Sequence, residues 1–273
     1  MINPRKKQEI LRSAMVASAL ISMVFGGIAC NQSAFEGTPS TSSTDAKMAI
    51  DKIAEAEPLY AAREDMARAR VAVTALRQAH SADYGNYEAA WKLARAAYYV
   101  GDRTDNDSEQ DDMFREGTEA GKAAVKLQPD KPEGHFWLGA NYGGEAAHST
   151  LSNLSSFQDI KREMEAVLKI EASYQGYSAY VGLGRLYLQA PKVLGGDVNK
   201  AIEYLEKGIK LNPNNSVMRL YLAQAYEAAN RNADAKKQIE TINTLTPDAM
   251  YVAEHKDAVV KAKKLLAKIE AER

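Results

Sequence analysis

From residue 46 onward, apolar side chains recur at spacings of three and four, as in Ile202, Leu205 and Ile209, or Leu220, Ala223 and Tyr226. That spacing keeps one face of a 3.6-residue helix apolar. The two-residue alternation of a half-buried strand is not sustained anywhere. Alanine is abundant, and proline after the first 45 residues is confined to positions 58, 129, 132, 191, 213 and 247. The pattern predicts an all-α chain whose helices are punctuated by proline, with Asp45 as the N-cap of a first helix starting at Ala46.

The prolines also expose a period. Pro213 and Pro247 are 34 residues apart, and each closes a segment of the same type. In one, Tyr180, Leu183-Gly184 and Tyr187 precede Ala201, Leu205, Gly208 and Pro213. In the other, Leu222-Ala223 and Tyr226 precede Ala235, Ile239, Ile242 and Pro247. Trp91, Ala94 and Tyr98 open a further unit that ends with Gly117, Gly121, Ala124 and Pro129. His135, Leu138-Gly139 and Tyr142 open another, whose second helix is expected over 154–170. Ala72, Leu76, Ala79 and Tyr84 suit the second helix of a degenerate first unit. These segments resemble the tetratricopeptide repeat, in which small residues let two antiparallel helices approach and larger ones fill the space beside them. The resemblance implies a solenoid of helical hairpins over residues 46–250, about four and a half units, with a capping helix at 251–273 that covers the last hairpin. Insertions interrupt three units, near 101–112, 143–153 and 190–197.

The first 29 residues read differently. Arg5, Lys6, Lys7 and Arg12 precede seventeen uncharged residues, 13–29, which close on small side chains before Cys30. A basic stretch, a short apolar stretch and a small-residue cleavage site describe an export signal, and seventeen residues is short against the roughly 20 a spanning helix needs. Cys30, the sole cysteine, stands at the cut, in a context similar to a bacterial lipobox. The resemblance implies acylation of Cys30 and a stable membrane anchor. Residues 31–45 contain nine Ser, Thr, Gly or Pro and suit a flexible tether. The expected location is the bacterial envelope, at the outer membrane and facing the periplasm.

Charge narrows the partners. Lys plus Arg number 35 and Asp plus Glu 36; removing the four basic and one acidic residues of 1–29 leaves 31 against 35, a net −4. An anionic surface argues against nucleic acid, and a single cysteine excludes an internal disulfide or a cysteine-rich metal site.

Candidate chemistry is sparse. Acidic residues from Asp105 to Glu116 fall at several positions of a calcium loop, but Gln110 stands where such a loop needs glycine. Glu145 and His148, three apart, with His135, are the residues on which a metal-dependent enzyme would rest, and no second Glu-x-x-His completes the set. The expectation is a non-catalytic protein without a cofactor. Groove residues are expected beside the repeat core positions, at Lys92, Tyr99, Phe136, Arg185, Leu188, Gln224 and Glu227, where aromatic and Arg side chains suit partner anchoring.

The stretch APKVLGGD (190–197), the following KAIEYL (200–205) and HFWLGANYGG (135–144) are similar to the T component of TRAP transporters, the TatT family of tetratricopeptide lipoproteins. That likeness implies docking of a periplasmic solute-binding subunit, with a second copy of the chain and a small apolar solute as further admissible partners. The competing expectation is a generic outer-membrane assembly scaffold of the same fold.

Overall fold

The computed structural model describes residues 42–148 and 154–271. The expected leader, the lipidated Cys30 and nearly all of the tether lie outside the described residues.

Every regular element is helical among the described residues. Ten helices pair as five antiparallel hairpins: α1 (Ser43–Ala61) with α2 (Met66–Ala82), α3 (Tyr87–Gly101) with α4 (Asp107–Leu127), α5 (Pro132–His148) with α6 (Leu154–Glu171), α7 (Tyr174–Gln189) with α8 (Val198–Leu211), and α9 (Ser216–Ala228) with α10 (Asn232–Thr244). A last helix, α11 (Val252–Ala271), packs on α9 and α10 and buries Ala253, Ala258, Ala262, Leu265 and Ile269. The fold is thus a tetratricopeptide-like solenoid. None of the described helices is long and apolar enough to cross a membrane.

Local chemistry sets the helix ends. Asp65, Asn86, Asn106, Asp197 and Asn215 each accept a backbone N–H from the first turn they precede. Each such cap contributes about 1 kcal/mol. Pro132 opens α5, where its missing N–H is not needed, and Pro213 and Pro247 follow helices they cannot continue. The start of α1 differs from expectation. Ser42 is the cap, accepting from the Asp45 N–H at 3.1 Å while its hydroxyl donates to the Asp45 carboxylate at 2.6 Å. The reciprocal pair places Asp45 inside the first turn.

Other differences have equally local causes. Ala49, Ile53 and Ala56 give α1 an apolar stripe, so the degenerate first unit is a complete hairpin. Tyr84 lies beyond the end of α2 and is exposed. Gly143 and Gly144 sit within α5, since the helix runs on to His148 and Gly144 accommodates the Phe114 ring. Residues 105–116 run through the Asn106 cap into the first, nearly three, turns of α4, where the Gln110 amide donates to the Gly101 carbonyl at 2.8 Å, so the acids line a helix start and not a calcium loop.

Successive first helices α1, α3, α5, α7 and α9 touch one another and form the inner row. The two ends of the solenoid then meet through side chains. The Arg63 guanidinium, at the α1–α2 corner, donates to both Glu254 carboxylate oxygens at 2.9 and 3.0 Å and to the Met250 carbonyl at 2.9 Å. Arg103 reaches Asp257 and Lys256 reaches Glu64, each at 2.6 Å. Arg63 also lies over the Tyr60 and Tyr99 rings. Replacing Arg63 by Met strands a partly buried Glu254, and the expected loss is about 2 kcal/mol in denaturant unfolding. Amide exchange over residues 249–257 should rise in that variant, because this corner holds the segment.

Candidate functional site

The inner row encloses a cavity of about 1180 Å³, roomier than the roughly 300–1,000 Å³ of ordinary small-molecule sites. The α3 stripe Arg95, Tyr98, Tyr99, Asp102 and Arg103 forms one wall; Phe136, Trp137 and Gly143 of α5 form the next. Val181, Arg185 and Leu186 of α7 and Leu220 and Tyr221 of α9 continue the curve, and residues 246–251 with Glu254 and Asp257 complete it.

The lining is aromatic and cationic. Tyr60 and Tyr99 meet edge to face with centroids 6.0 Å apart. The Arg95 guanidinium lies 3.9 Å from the Tyr60 centroid and that of Arg103 lies 3.9 Å from Tyr99. The buried Nε of both arginines lacks a hydrogen-bond acceptor among the described residues; the ring faces supply the compensating negative charge. Phe136 stands edge-on to Trp137, and the Trp137 indole N–H donates to the Tyr174 hydroxyl at 3.1 Å. Burial raises the Tyr98 hydroxyl above its ordinary pKa, with the Asp102 charge acting in the same direction. Burial would also raise Glu57, but the hydrogen bond from Lys92 and the charges of Arg95 and Lys92 outweigh it and hold this carboxyl low.

Part of the wall is strained. Gln175, Gly176 and Tyr177 all have positive φ, of 49°, 63° and 68°. For the two non-glycine residues this left-handed geometry costs about 1–2 kcal/mol each. Asn212 and Asn215 donate to the Gly176 carbonyl at 3.1 and 3.3 Å, and the Tyr251 hydroxyl bonds the Gln175 side chain at 3.2 Å. These contacts clamp the turn at the cavity surface.

Of the expected groove residues, Tyr99, Phe136 and Arg185 line this cavity. Lys92 is buried and bound to Glu57 and Glu88 at 2.6 and 2.5 Å. Leu188 packs against the core, Gln224 is half-buried outside the lining, and Glu227 pairs with Lys268 of α11 at 2.6 Å. Trp137 and the arginines 63, 95 and 103 are brought in by the curvature. The three- and four-residue spacing of Arg95, Tyr98, Tyr99, Asp102 and Arg103 was the available signal, since it marks a helix face that is both charged and aromatic.

His135 belongs to a different arrangement. Its Nδ1 lies 2.6 Å from the Glu163 carboxylate and its Nε2 lies 2.9 Å from the Pro129 carbonyl. With an acceptor at each nitrogen the arrangement favours the doubly protonated ring and leaves neither nitrogen turned toward a metal. The His148 side chain lies outside the described residues. Among those described, no three His, Cys, Asp or Glu side chains converge on a metal-sized site.

Comparisons place this geometry in a family. A sequence profile described as "Regulator of microtubule dynamics protein 1-3" matches residues 52–192, or 141 of the 273 residues. The chain belongs to that family. The matched span contains the α1, α3, α5 and α7 contributions to the cavity, Arg185 among them. A tetratricopeptide-repeat profile matches residues 194–254, from α8 through the α9–α10 hairpin to the start of α11. Among solved structures, a thermophilic TPR protein of Thermus thermophilus is similar at 18% identity and a TM-score of 0.60, covering 80% of this chain and 99% of that one. The pilF protein of Pseudomonas aeruginosa is similar at 15% identity and a TM-score of 0.53, covering 84% and 100%. Both likenesses concern the fold alone. No curated protein matches the chain.

The Glu163 hydrogen bond raises the His135 pKa against the opposing effect of burial, with the Pro129 carbonyl assisting. A raised folded value means the stabilisation is complete below the unfolded pKa of about 6.5 and is lost as pH climbs through the folded value. His135→Gln should therefore be about 1.5 kcal/mol less stable than wild type at pH near 6. The two should converge in thermal melts at alkaline pH.

Proposed function

We propose that this chain is a non-catalytic, lipid-anchored tetratricopeptide protein of the bacterial envelope that holds a segment of a partner protein in its inner-row cavity. The observation that carries the reading is the cavity itself. Its lining includes five Tyr, four Arg and Trp137, residue types that dominate binding energy at protein interfaces. A concave space of about 1180 Å³ suits an extended segment; the broad face of a filament would not enter it. The strained 175–177 turn at its wall accords with a binding role, since such strain clusters at ligand clamps.

The anchor and location rest on the basic and apolar leader ending at Cys30. Acylation there, followed by the tether, would keep the solenoid at the outer-membrane face of the periplasm and raise its effective concentration near a soluble client. The client favoured by the likeness of residues 135–144 and 190–205 to the T component of TRAP transporters is a periplasmic solute-binding subunit.

Gly143 provides a test that preserves the fold. It faces the cavity, and a Cβ built on it meets nothing within 4 Å. Leucine there fills cavity space and improves helix propensity by roughly 0.5–1 kcal/mol. In crosslinking capture from native envelope extract, wild type should retain a solute-binding protein and Gly143→Leu should lose it at least tenfold, with helicity unchanged. Equal capture by both proteins would remove the cavity from the account. Recovery of outer-membrane assembly proteins instead would replace the transporter client by an assembly scaffold role.

A further inference from the structure

The charged groups of the cavity are not equally satisfied. Arg63 is held by Glu254, Arg103 by Asp102 and Asp257, and Arg95 by Glu57. Arg185 differs from these three. Its Nε donates to the Gln189 side-chain oxygen at 3.0 Å, one terminal nitrogen donates to the Tyr98 hydroxyl at 3.3 Å, and its guanidinium lies 5.8 Å from the Tyr221 centroid. All three partners are neutral. Asp102 of the α3 wall acts on this arginine through its charge alone and is itself bound to Arg103 at 3.3 Å.

A guanidinium stays charged at any physiological pH and presents five donors in a planar fork. Two of Arg185's donors are used, leaving the other terminal nitrogen without a protein acceptor among the described residues. The group is half-buried in the cavity wall, between apolar Val181, Leu186 and Leu220 and the aromatic Tyr98 and Tyr221. A half-buried cation whose side-chain partners are all neutral is a ready receptor for a planar oxyanion, which matches the guanidinium fork and supplies the missing negative charge.

We infer that Arg185 is the anchor for a carboxylate on the cavity's ligand, with the ligand's apolar body lying against Phe136, Trp137 and Leu220. The inference rests on the cavity reading above and specifies the ligand's chemistry. The carboxylate comes either from the C-terminus of a bound chain or from a free aryl or alkyl acid, and both present the same two oxygens. Arg185→Lys keeps the charge but loses the fork, so it retains only part of the preference. Arg185→Met fills similar volume without charge.

The test compares acids with their amides on the purified full chain, by equilibrium dialysis read by mass spectrometry. One arm uses a pool of random hexapeptides made with free C-terminal carboxylates and again as C-terminal amides. The other uses 4-phenylbutyrate and 4-phenylbutyramide. Wild type should retain the acid at least tenfold over its amide in one arm, and that arm identifies the source. The ratio should fall to about one in Arg185→Met and to an intermediate value in Arg185→Lys. Acid and amide retained equally by wild type would overturn the carboxylate assignment and leave the cavity reading standing. Preference surviving in Arg185→Met would overturn it too, by placing the receptor elsewhere. No retention of any probe by wild type would overturn both readings.

Discussion

Helix pairs in this solenoid approach as closely as they do because side chains are missing at the contact. A Cβ on Gly117 would fall 2.1 Å from the Asn141 side-chain oxygen, and one on Gly184 would fall 2.4 Å from Leu205. Close packing of this kind tolerates little added volume. It also positions polar groups: with α4 tight against α5, the buried Asn141 amide donates to the Ala94 carbonyl at 3.0 Å and the Trp137 carbonyl at 2.7 Å. That bond ties α5 to α3 at the level where Tyr98 and Trp137 meet, 5.9 Å apart. The curvature of the inner row, and hence the cavity, follows from these contacts.

Closing the curve requires a different interaction. The ends of a solenoid share no hairpin, and here they are joined by Arg63, Arg103 and Glu64 with their partners in the 250–257 segment. Ion pairs of this sort are individually modest and screened by salt. The Arg63 corner is stronger, because it combines a bidentate carboxylate contact with two aromatic faces. The cavity therefore has a wall of packed helices on most sides and an electrostatically held wall on one.

Sequence revealed the parts of this design that are local. The 34-residue interval between Pro213 and Pro247, and the small residues at Gly184, Ala201, Ala223 and Ala235, encode helix pairing directly, and the all-α solenoid follows from them. The hairpin at the start was less visible, because alanines carry most of its stripe and Tyr60 is the single aromatic of α1. The cavity was harder still. Its wall joins residues nearly two hundred positions apart, as in Arg63 with Glu254, and no periodicity within one repeat predicts that meeting. Register mattered as well: Lys92 lies one turn from Arg95 on the same helix, yet it turns to Glu57 and Glu88 while Arg95 stacks on Tyr60. Glu227 sits on a helix that α11 covers, so the capping element occupies part of what an uncapped groove would expose. The unusual pairing of Arg185 could be seen only once every neighbouring acid had been located.

The central claim is that the inner row, and not the outer, is the surface that meets a partner. The most direct measurement is photocrosslinking in living cells, with a benzophenone amino acid placed at Met250, an exposed residue of the cavity lining, or at Arg77 on the outer helix α2. The account predicts a discrete crosslinked partner from position 250 and none from position 77. A discrete partner at position 77 with none at 250 would contradict it.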